Sequence, residues 1–440
     1  MLRSFRVANH KSFRDETELL LMPAYDRSRQ VVPVAAVFGA NASGKSNLLD
    51  ALRWLQVAVR ESYAAWEPGA GIPRTPFRLD PEVAARPSLY CVELLLDGQR
   101  YTYGVEVDDH RVLSEWLYTY PRNRRRMIFY RDRNAVSVGS TVPDHRARAQ
   151  QLDRQTRDNA LLLSVAAHND VAEVQPVYGW FRKRLRFAAD TTDLAGRELL
   201  QRLSDKAQRP AIVALVSAAD LGITDITGHE QAAAWTTASE LREVLTQLTE
   251  SSQPPAQPAE AAVGRGFVAQ LREILEQGQD SGLGRLRFKH GSSSVLLGLE
   301  DQSAGTRNWI ALVSAALTTL SAGGVLVVDE VDASLHPHLS ARLINLFRDV
   351  ESNRDCAQLV LTTHDATLLD EETLSRDEVW FVEKAPDSGA SRLYPLTDFH
   401  PRKHEDTEGR YLAGSYGAIP IVSETRIIGA LRGGVRDAAA

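Results

Sequence analysis

The stretch GANASGKSN contains residues whose types and spacing suit phosphate binding. It fills the pattern G-x-x-x-x-G-K-[ST] with Gly39, Gly44, Lys45 and Ser46. The glycines let the backbone wrap closely around phosphate oxygens, and the successive N–H groups from Ala42 to Ser46 are expected to donate to them. We expect Lys45 to reach the β- and γ-phosphates of a nucleoside triphosphate and Ser46 to hold Mg²⁺. Taken alone, the same letters also fit a glycine-rich turn with a chance lysine.

The segments on either side of the loop favour the phosphate site. An apolar run, VVPVAAVF, precedes the loop, and the following segment, NLLDALRWLQVAV, places its leucines on one helical face. A strand that enters the loop and a helix that leaves it direct the positive end of the helix towards the anion. The predicted nucleotide-binding residues are therefore Gly39, Asn41, Ala42, Ser43, Gly44, Lys45, Ser46 and Asn47.

Acidic residues and a histidine follow two further apolar runs. Asp329 and Glu330 come directly after VLVV, and His364 ends the segment QLVLTTH. We predict that Asp329 binds Mg²⁺ and that Glu330 is the general base that polarises the attacking water. His364 lies where open α/β sheets place their ligand crevice, so we predict that it senses the γ-phosphate. An Asp-Glu pair or a strand-end histidine is also common by chance, and both predictions depend on the phosphate loop.

The rest of the chain supplies the elements that must position these residues. Two short strands, LRSFRV and ETELLLM, begin it, and alternating segments between about residues 90 and 139 predict an antiparallel sheet. From about 146 to 280 the pattern is helical, with an exposed loop or linker at residues 251–262. After about residue 285, strands and helices alternate, which is typical of a parallel sheet with flanking helices.

Composition narrows the class of protein. The chain has 440 residues, 43% hydrophobic content and a net charge of −6, which excludes a nucleic-acid binder that is basic over its whole surface. We find no long apolar run and no signal peptide, so we expect a cytoplasmic protein. Cys91 and Cys356 both lie in apolar, strand-like contexts, and we expect both to be buried and unpaired.

The motifs NHKSFRD, GANASGKS, SAGTRN, VVVDEVDASLHP and LTTHD, in this order, resemble the ABC-type ATPase heads of SMC-like and RecF-like proteins. They also resemble the AAA ATPases of bacterial phage-defence systems, and the tail segments DEVWFVEK and RYLAGSYGAIP are similar to those of RloA and AbiLii-type ATPases. The resemblance implies an α/β P-loop NTPase with a mixed central sheet, an antiparallel β subdomain and a helical insertion. It also implies ATP and Mg²⁺ as cofactors. Two features depart from the family: no Q-loop glutamine is assignable, and the insertion is too short for the long coiled coil of an SMC protein.

By the same resemblance, SAGTR is the signature motif. Ser303 and Gly305 would contact the γ-phosphate of ATP bound by another subunit, so that two heads close around the nucleotide as a homodimer. Read locally, these residues form only an N-cap and a tight turn at the start of a helix. The resemblance also suggests a further nucleotide contact from Lys11 or Ser12, in NHKSF.

Basic residues are concentrated in two segments. PRNRRRMIFYRDR contains Arg122, Arg124, Arg125, Arg126, Arg131 and Arg133 among aromatic residues, and WFRKRLRF contains Arg182, Lys183, Arg184 and Arg186. A nucleic-acid or partner surface is one interpretation, with phosphate contacts from arginine and stacking from tyrosine. A solvated hairpin is the other.

We predict three parts: residues 1–145 and 281–440 form the ATPase head, and residues 146–280 form a helical insertion or lid. The leading hypothesis is an ATP-hydrolysing switch that dimerises head-to-head and controls a separate effector, a nuclease or toxin, in antiviral defence. The alternatives are a nucleotide-dependent scaffold that hydrolyses little and a DNA-repair ATPase that resembles RecF.

Overall fold

The computed structural model describes residues 1–26, 28–190, 199–218, 222–228, 286–333 and 335–419. These residues form two compact units. The first holds the described residues up to Phe187 and from Thr319 onwards, and the second holds those between Ala188 and Thr318. The helices predicted in 236–250 and 266–277 and the loop at 251–262 lie outside the described residues, and the three-part division stays a prediction.

An antiparallel sheet of seven strands forms one layer of the first unit, in the order β2-β1-β4-β5-β6-β7-β8. The strands are β1 (Leu2–Ala8), β2 (Thr17–Leu20), β4 (Ser88–Leu96), β5 (Gln99–Val107), β6 (Val112–Thr119), β7 (Arg126–Asp132) and β8 (Ala135–Val138). β4, in the middle of the sheet, is buried along most of its length, whereas β8, at the sheet edge, has no buried residue. The predicted antiparallel sheet is thus confirmed, and it also includes the two strands that begin the chain.

A sheet of six strands forms the second layer, in the order β16-β15-β3-β14-β13-β9. The strands are β3 (Val34–Phe38), β9 (Leu185–Phe187), β13 (Val325–Val328), β14 (Gln358–Thr363), β15 (Val379–Lys384) and β16 (Ser391–Pro395). All neighbours are parallel except β15 and β16. The predicted parallel strands are confirmed, and their carboxyl ends share one edge of the sheet. β9 was not predicted, because three residues inside a helical region carry no period-2 signal.

Helices and short helical turns connect the strands. The α-helices whose bounds lie within the described residues are α1 (Lys45–Glu61), α2 (Pro81–Ala84), α3 (His145–Gln155), α4 (Leu162–His168), α5 (Gln175–Gly179), α6 (Arg209–Ser217), α7 (Ala304–Ala322), α8 (Pro337–Arg348) and α9 (Thr407–Leu412). Trp180–Arg184 forms a π-helical turn between α5 and β9. One hydrophobic cluster joins α1 to both sheets, with Leu52 of α1, Val92 of β4 and Val327 of β13 among its members. This cluster fixes the start of α1, and with it the phosphate loop, against the parallel sheet.

The second unit has a small antiparallel sheet of its own, in the order β10-β11-β12. Its strands are β10 (Ile223–Gly228), β11 (Leu286–His290) and β12 (Leu296–Leu297). Ile226 and Phe288 from the sheet pack with Ile310 of α7 in a separate hydrophobic cluster. β10 falls in a region predicted to be helical, so that prediction is wrong there; pairing with β11 outweighs the local pattern.

The cysteine prediction is half correct. Cys91 is buried in β4, but Cys356 is exposed, because it precedes β14 and lies outside its apolar run. Burial raises the pKa of the Cys91 thiol to about 11. Within the described residues, no helix has the length and apolar character needed to cross a membrane.

Candidate nucleotide site

The phosphate loop connects β3 to α1 and depends on two glycines. A side chain at Gly39 would collide with the backbone oxygen of Val382 in the neighbouring strand β15. Gly44 has a φ of 115°, and a Cβ there would meet the hydroxyl groups of Ser391 and Ser12. Both positions therefore require glycine, one for close approach of backbone and the other also for its conformation.

Lys45 is the first residue of α1 and is almost fully buried, with 4% of its surface exposed. Its Nζ donates to the carbonyl oxygens of Gly39, at 2.8 Å, and Ala40, at 3.1 Å, and lies 3.2 Å from His364 Nδ1. Burial lowers the pKa of this amine, and the carboxylates of Glu330, Asp332 and Asp329 act in the opposite direction. The loop thus holds a cation close to carboxylates that oppose its deprotonation.

Ser46 and Asp329 lie together, as expected for residues that hold Mg²⁺. Ser46 Oγ donates to Asp329 Oδ1 at 3.1 Å, and Thr362 Oγ1 of β14 donates to the same oxygen at 2.5 Å. Among the described residues, no three His, Cys, Asp or Glu side chains are grouped as a metal site. A serine hydroxyl and one carboxylate still fit Mg²⁺, because this ion is commonly held by few protein ligands together with phosphate oxygens and water.

Glu330 and His364 face each other at the ends of β13 and β14. His364 Nε2 lies 3.9 Å from Glu330 Oε1, and the Glu330 carboxylate is 53% exposed. Glu330 has a φ of 48°, and its backbone N–H donates to Thr362 Oγ1 at 2.7 Å. Since glutamate seldom adopts a left-handed conformation, the sheet holds this carboxylate in a strained position at the edge where the phosphate loop opens.

Asp332, two residues after Glu330, lines the same cavity as Glu330 and His364. Its Oδ2 accepts the backbone N–H of His364 at 3.1 Å. Its Oδ1 is buried and has no hydrogen-bond partner among the described groups. One oxygen of this carboxylate thus positions His364, and the other is left for a further donor.

A cavity of about 600 Å³ unites these residues, and its volume lies within the range of ligand sites. The lining residues are Asn41, Ala42, Ser43, Gly44, Lys45, Ser46, Asn47, Glu330, Asp332, Ala333, His364 and Lys384. The structure therefore brings together almost the whole predicted loop, the predicted base and the predicted histidine. Asp329 lies behind Ser46, which does line the cavity.

Three residues of the site are absent from the sequence prediction. Lys384 lies at the end of β15 and lines the cavity from the side opposite to Glu330's strand. Asp332 belongs to the motif VVVDEVDASLHP, but the sequence alone assigns no role to it. Ser391 Oγ donates to the carbonyl oxygen of Ser43 at 2.5 Å and accepts from Ser12 Oγ at 2.7 Å, so it holds the phosphate loop from β16. Lys384 was detectable only as a cation that closely follows the apolar run VWFV, whereas Ser391 has no sequence signal.

Lys11 lies beside the cavity rather than in it. Its Nζ forms an ion pair with Asp50 of α1 at 2.7 Å. It lines a second cavity, of about 410 Å³, whose lining shares Asn47 and Lys384 with the first. The predicted contact between Lys11 and a nucleotide stays a prediction, and the ion pair sets where the ammonium group can reach.

Ser303 and Gly305 belong to the second unit. Ser303 Oγ accepts the backbone N–H of Thr306 at 3.1 Å, and α7 begins at the next residue, Ala304. Ser303 is exposed and Gly305 is half-buried. The local interpretation, an N-cap, is confirmed, and the role as a signature motif stays a prediction.

The basic segments differ from the prediction at one residue. Arg122, Arg124, Arg125 and Arg126 are exposed, but Arg131 is only 1% exposed. Its guanidinium group donates to the carbonyl oxygens of Ala160 and Arg133, each at 2.7 Å. Arg131 is therefore a structural residue, because its position on β7 points it into the core and not towards solvent.

Residues 34–370 match the family described as "AAA domain, putative AbiEii toxin, Type IV TA system". Similar solved structures include an SmcHead bound to the C-winged helix domain of ScpA, with 12% identity and a TM-score of 0.41, covering 91% of this chain and 99% of that one. Another is the Smc head domain with an extended coiled coil bound to the C-terminal domain of ScpA derived from Pyrococcus furiosus, with 13% identity, a TM-score of 0.40 and coverage of 91% and 97%. No curated protein matches the chain.

The family match extends over most of the chain, from β3 to the residues that follow β14. It therefore includes the phosphate loop, the acidic pair and His364. The predicted P-loop NTPase fold of mixed α/β type is confirmed, and the chain belongs to this family of AAA domains.

Proposed function

We propose that this protein is an ATPase that binds ATP with Mg²⁺ in the 600 Å³ cavity and hydrolyses it to ADP and phosphate. The observation that supports this most strongly is the convergence of Lys45, Ser46, Glu330 and His364 on one space at the carboxyl edge of the parallel sheet. Each of these groups has a distinct use in phosphoryl transfer.

In this proposal, each residue of the cavity has its own role in hydrolysis. Lys45 and the loop amides hold the phosphates, and Lys384 adds a second cation from β15. Glu330 accepts a proton from the attacking water, and His364 orients the water or the terminal phosphate from the opposite side. When Mg²⁺ is bound beside Ser46 and Asp329, it neutralises charge on the phosphate oxygens.

We further propose that the active form is a homodimer closed around ATP. The N-terminus of α7, capped by Ser303, is suited to an anion, and Arg307 beside it donates to the carbonyl oxygen of Gln302 at 2.7 Å. The family resemblance of SAGTR assigns its phosphate to the other subunit. Opening and closing of this dimer would then depend on hydrolysis.

The cellular role proposed here is a cytoplasmic switch in abortive infection. The family description names a toxin of a type IV toxin–antitoxin system, and this supports a link to a toxin or nuclease effector. We propose that the effector is a separate protein. The ATP-closed dimer would restrain or release it during phage infection.

The assignment of Glu330 is tested by Glu330→Gln. We expect the rate of ATP hydrolysis to fall by roughly 10²-fold or more, because the amide accepts no proton, while ATP binding is retained. Steady-state phosphate release and equilibrium binding of a fluorescent ATP analogue measure the two effects. Glu351→Gln, at an exposed position in the turn after α8, is the matched control and should behave as wild type.

Two outcomes would reject parts of the proposal. Normal turnover in Glu330→Gln would show that another group is the base. Negligible turnover in the wild type, together with ATP-dependent assembly, would favour the nucleotide-dependent scaffold.

A further inference from the structure

An arginine-rich connection joins β6 to β7 at one end of the antiparallel sheet. We call Arg122, Arg124, Arg125 and Arg126 the arginine hairpin; all of them are exposed. Among the described residues, no carboxylate lies within ion-pair distance of these guanidinium groups. Their charge is thus available to an external anion.

The second basic segment lies at the same end of the sheet. Arg182 and Lys183 are exposed in the π-helical turn, and Arg184 Nη2 lies 3.9 Å from Asp97 in the turn between β4 and β5. Arg100, at the other side of that turn, accepts the backbone N–H of Tyr120 through its carbonyl oxygen at 3.1 Å. Tyr120 lies two residues before Arg122, the first residue of the arginine hairpin. The turn between β4 and β5 therefore contacts both basic segments: Asp97 lies near Arg184, and Arg100 bonds to Tyr120.

Planar groups accompany these charges on the outer face of the sheet. Trp116, Tyr118 and Tyr120 alternate along and just beyond β6, so they share the face opposite to buried Leu117. The Arg125 guanidinium lies 4.9 Å from the ring centre of Tyr118, and that of Arg100 lies 4.2 Å from the ring centre of Tyr120. The aromatic rings are only half-buried, and each covering guanidinium is itself a flat surface for stacking.

The basic surface and the nucleotide cavity lie at opposite edges of the parallel sheet. Arg184 directly precedes β9, and β9 runs parallel to β13. The basic end therefore lies at the amino edge of the parallel sheet, whereas the cavity lies at its carboxyl edge. Changes at the basic end should leave the nucleotide site intact.

From these observations we infer that the arginine hairpin, together with Arg182, Lys183 and the stacked pairs on β6, binds single-stranded nucleic acid. Free guanidinium groups supply contacts to phosphates. Planar groups about 7 Å apart along a strand suit unpaired bases, which stack on exposed sheet faces. The net charge of −6 for the whole chain means that attraction must come from this local patch.

Fluorescence anisotropy with labelled single-stranded DNA, single-stranded RNA and a duplex of matched sequence tests the inference on the full chain. We expect at least one single strand to bind more tightly than the duplex. Arg124→Glu with Arg126→Glu should weaken that binding roughly tenfold or more at 0.1 M salt, and should reduce the slope of log K against log salt by about 1.4. Arg182→Glu with Lys183→Glu should have a similar effect.

The controls separate charge, stacking and folding. Arg402→Glu with Lys403→Glu changes two exposed basic residues elsewhere and should leave the affinity unchanged. Arg125→Lys keeps the charge but removes the flat group over Tyr118, so it should weaken single-strand binding several-fold with the salt slope preserved. Basal ATP hydrolysis should be unchanged in all four variants, which would show that they are folded. Absence of binding in the wild type, equal loss in the control double variant, or tighter binding of duplex would overturn the inference.

Discussion

Individual residues of the cavity are held by contacts that sequence motifs do not describe. Lys45 is positioned by carbonyl oxygens of its own loop, and Asp329 is positioned by Thr362 of the neighbouring strand. Ser391 is the clearest case. It lies more than 300 residues after the phosphate loop in the chain, yet its hydroxyl group donates a hydrogen bond to the loop. A residue that never touches phosphate can thus determine how well the loop binds it.

We predict that Ser391→Ala weakens ATP binding by several-fold, because the carbonyl oxygen of Ser43 and the hydroxyl of Ser12 lose a buried hydrogen bond worth about 1 kcal/mol. Isothermal titration with ATP and Mg²⁺ measures the change. Ser137→Ala, at an exposed position on β8, is the matched control. Unchanged affinity in Ser391→Ala would mean that the loop keeps its shape without this contact.

At the residue scale, the sequence predicts the residues that would contact the nucleotide, but it does not predict the residues that hold them in position. Gly39, Gly44, Lys45 and Ser46 follow the phosphate-loop spacing between an apolar run and a one-sided helix, so the loop is predictable. Ser391 and Asp332 act through tertiary contacts, and their local sequences resemble ordinary turns. Arg131 was misjudged for the same reason, since burial at β7 depends on which face of the strand meets the core.

At the scale of elements, the connection between β1 and β2 is tied to α1 by charge. Asp50 of α1 accepts from His10 at 2.9 Å and forms an ion pair with Lys11 at 2.7 Å. Burial acts to raise the pKa of Asp50, but hydrogen bonds and the charges of His10 and Lys11 outweigh it and lower the pKa to about 2. The helix that carries the phosphate loop is thereby fixed to the first strands of the chain.

This lowered pKa predicts a pH dependence of stability. The unfolded Asp50 binds more protons than the folded one between its ordinary pKa, near 4, and about 2, so the stabilisation is complete above that window and is lost as pH falls through it. Asp50→Asn should lower the free energy of unfolding by about 1 kcal/mol at pH 7, since the pair is partly exposed. Urea unfolding of both proteins at several pH values measures the difference. A difference that persists unchanged towards pH 2 would exclude Asp50 as its source.

Elements with strong periodicity were predictable, and short elements were not. α1 and β3 were expected because a buried apolar run and a one-sided helix adjoin the loop. β9 and β10 were missed within a region of helical pattern. Their conformation depends on pairing with β13 and β11, which lie far along the chain.

At the scale of the whole molecule, the central claim is that one catalytic site uses residues from two chains. Lys45 and Glu330 lie in the first unit, and Ser303 caps α7 in the second unit. If Ser303 serves the partner's ATP, Ser303→Arg should abolish hydrolysis and leave ATP binding by the isolated subunit intact. Ser293→Arg, at an exposed turn of the same unit, is the matched control and should remain active.

Mixing two inactive variants tests this claim most directly. Lys45→Ala removes the phosphate contact of a subunit's own loop, and Ser303→Arg blocks the contribution to its partner. A mixed dimer contains one site built from the intact loop of the Ser303→Arg chain and the intact signature of the Lys45→Ala chain. We therefore predict that ATPase activity returns on mixing, up to about a quarter of the wild-type rate, because half of the dimers are mixed and each has one intact site of two. A mixture that stays as inactive as either variant alone would contradict the shared site.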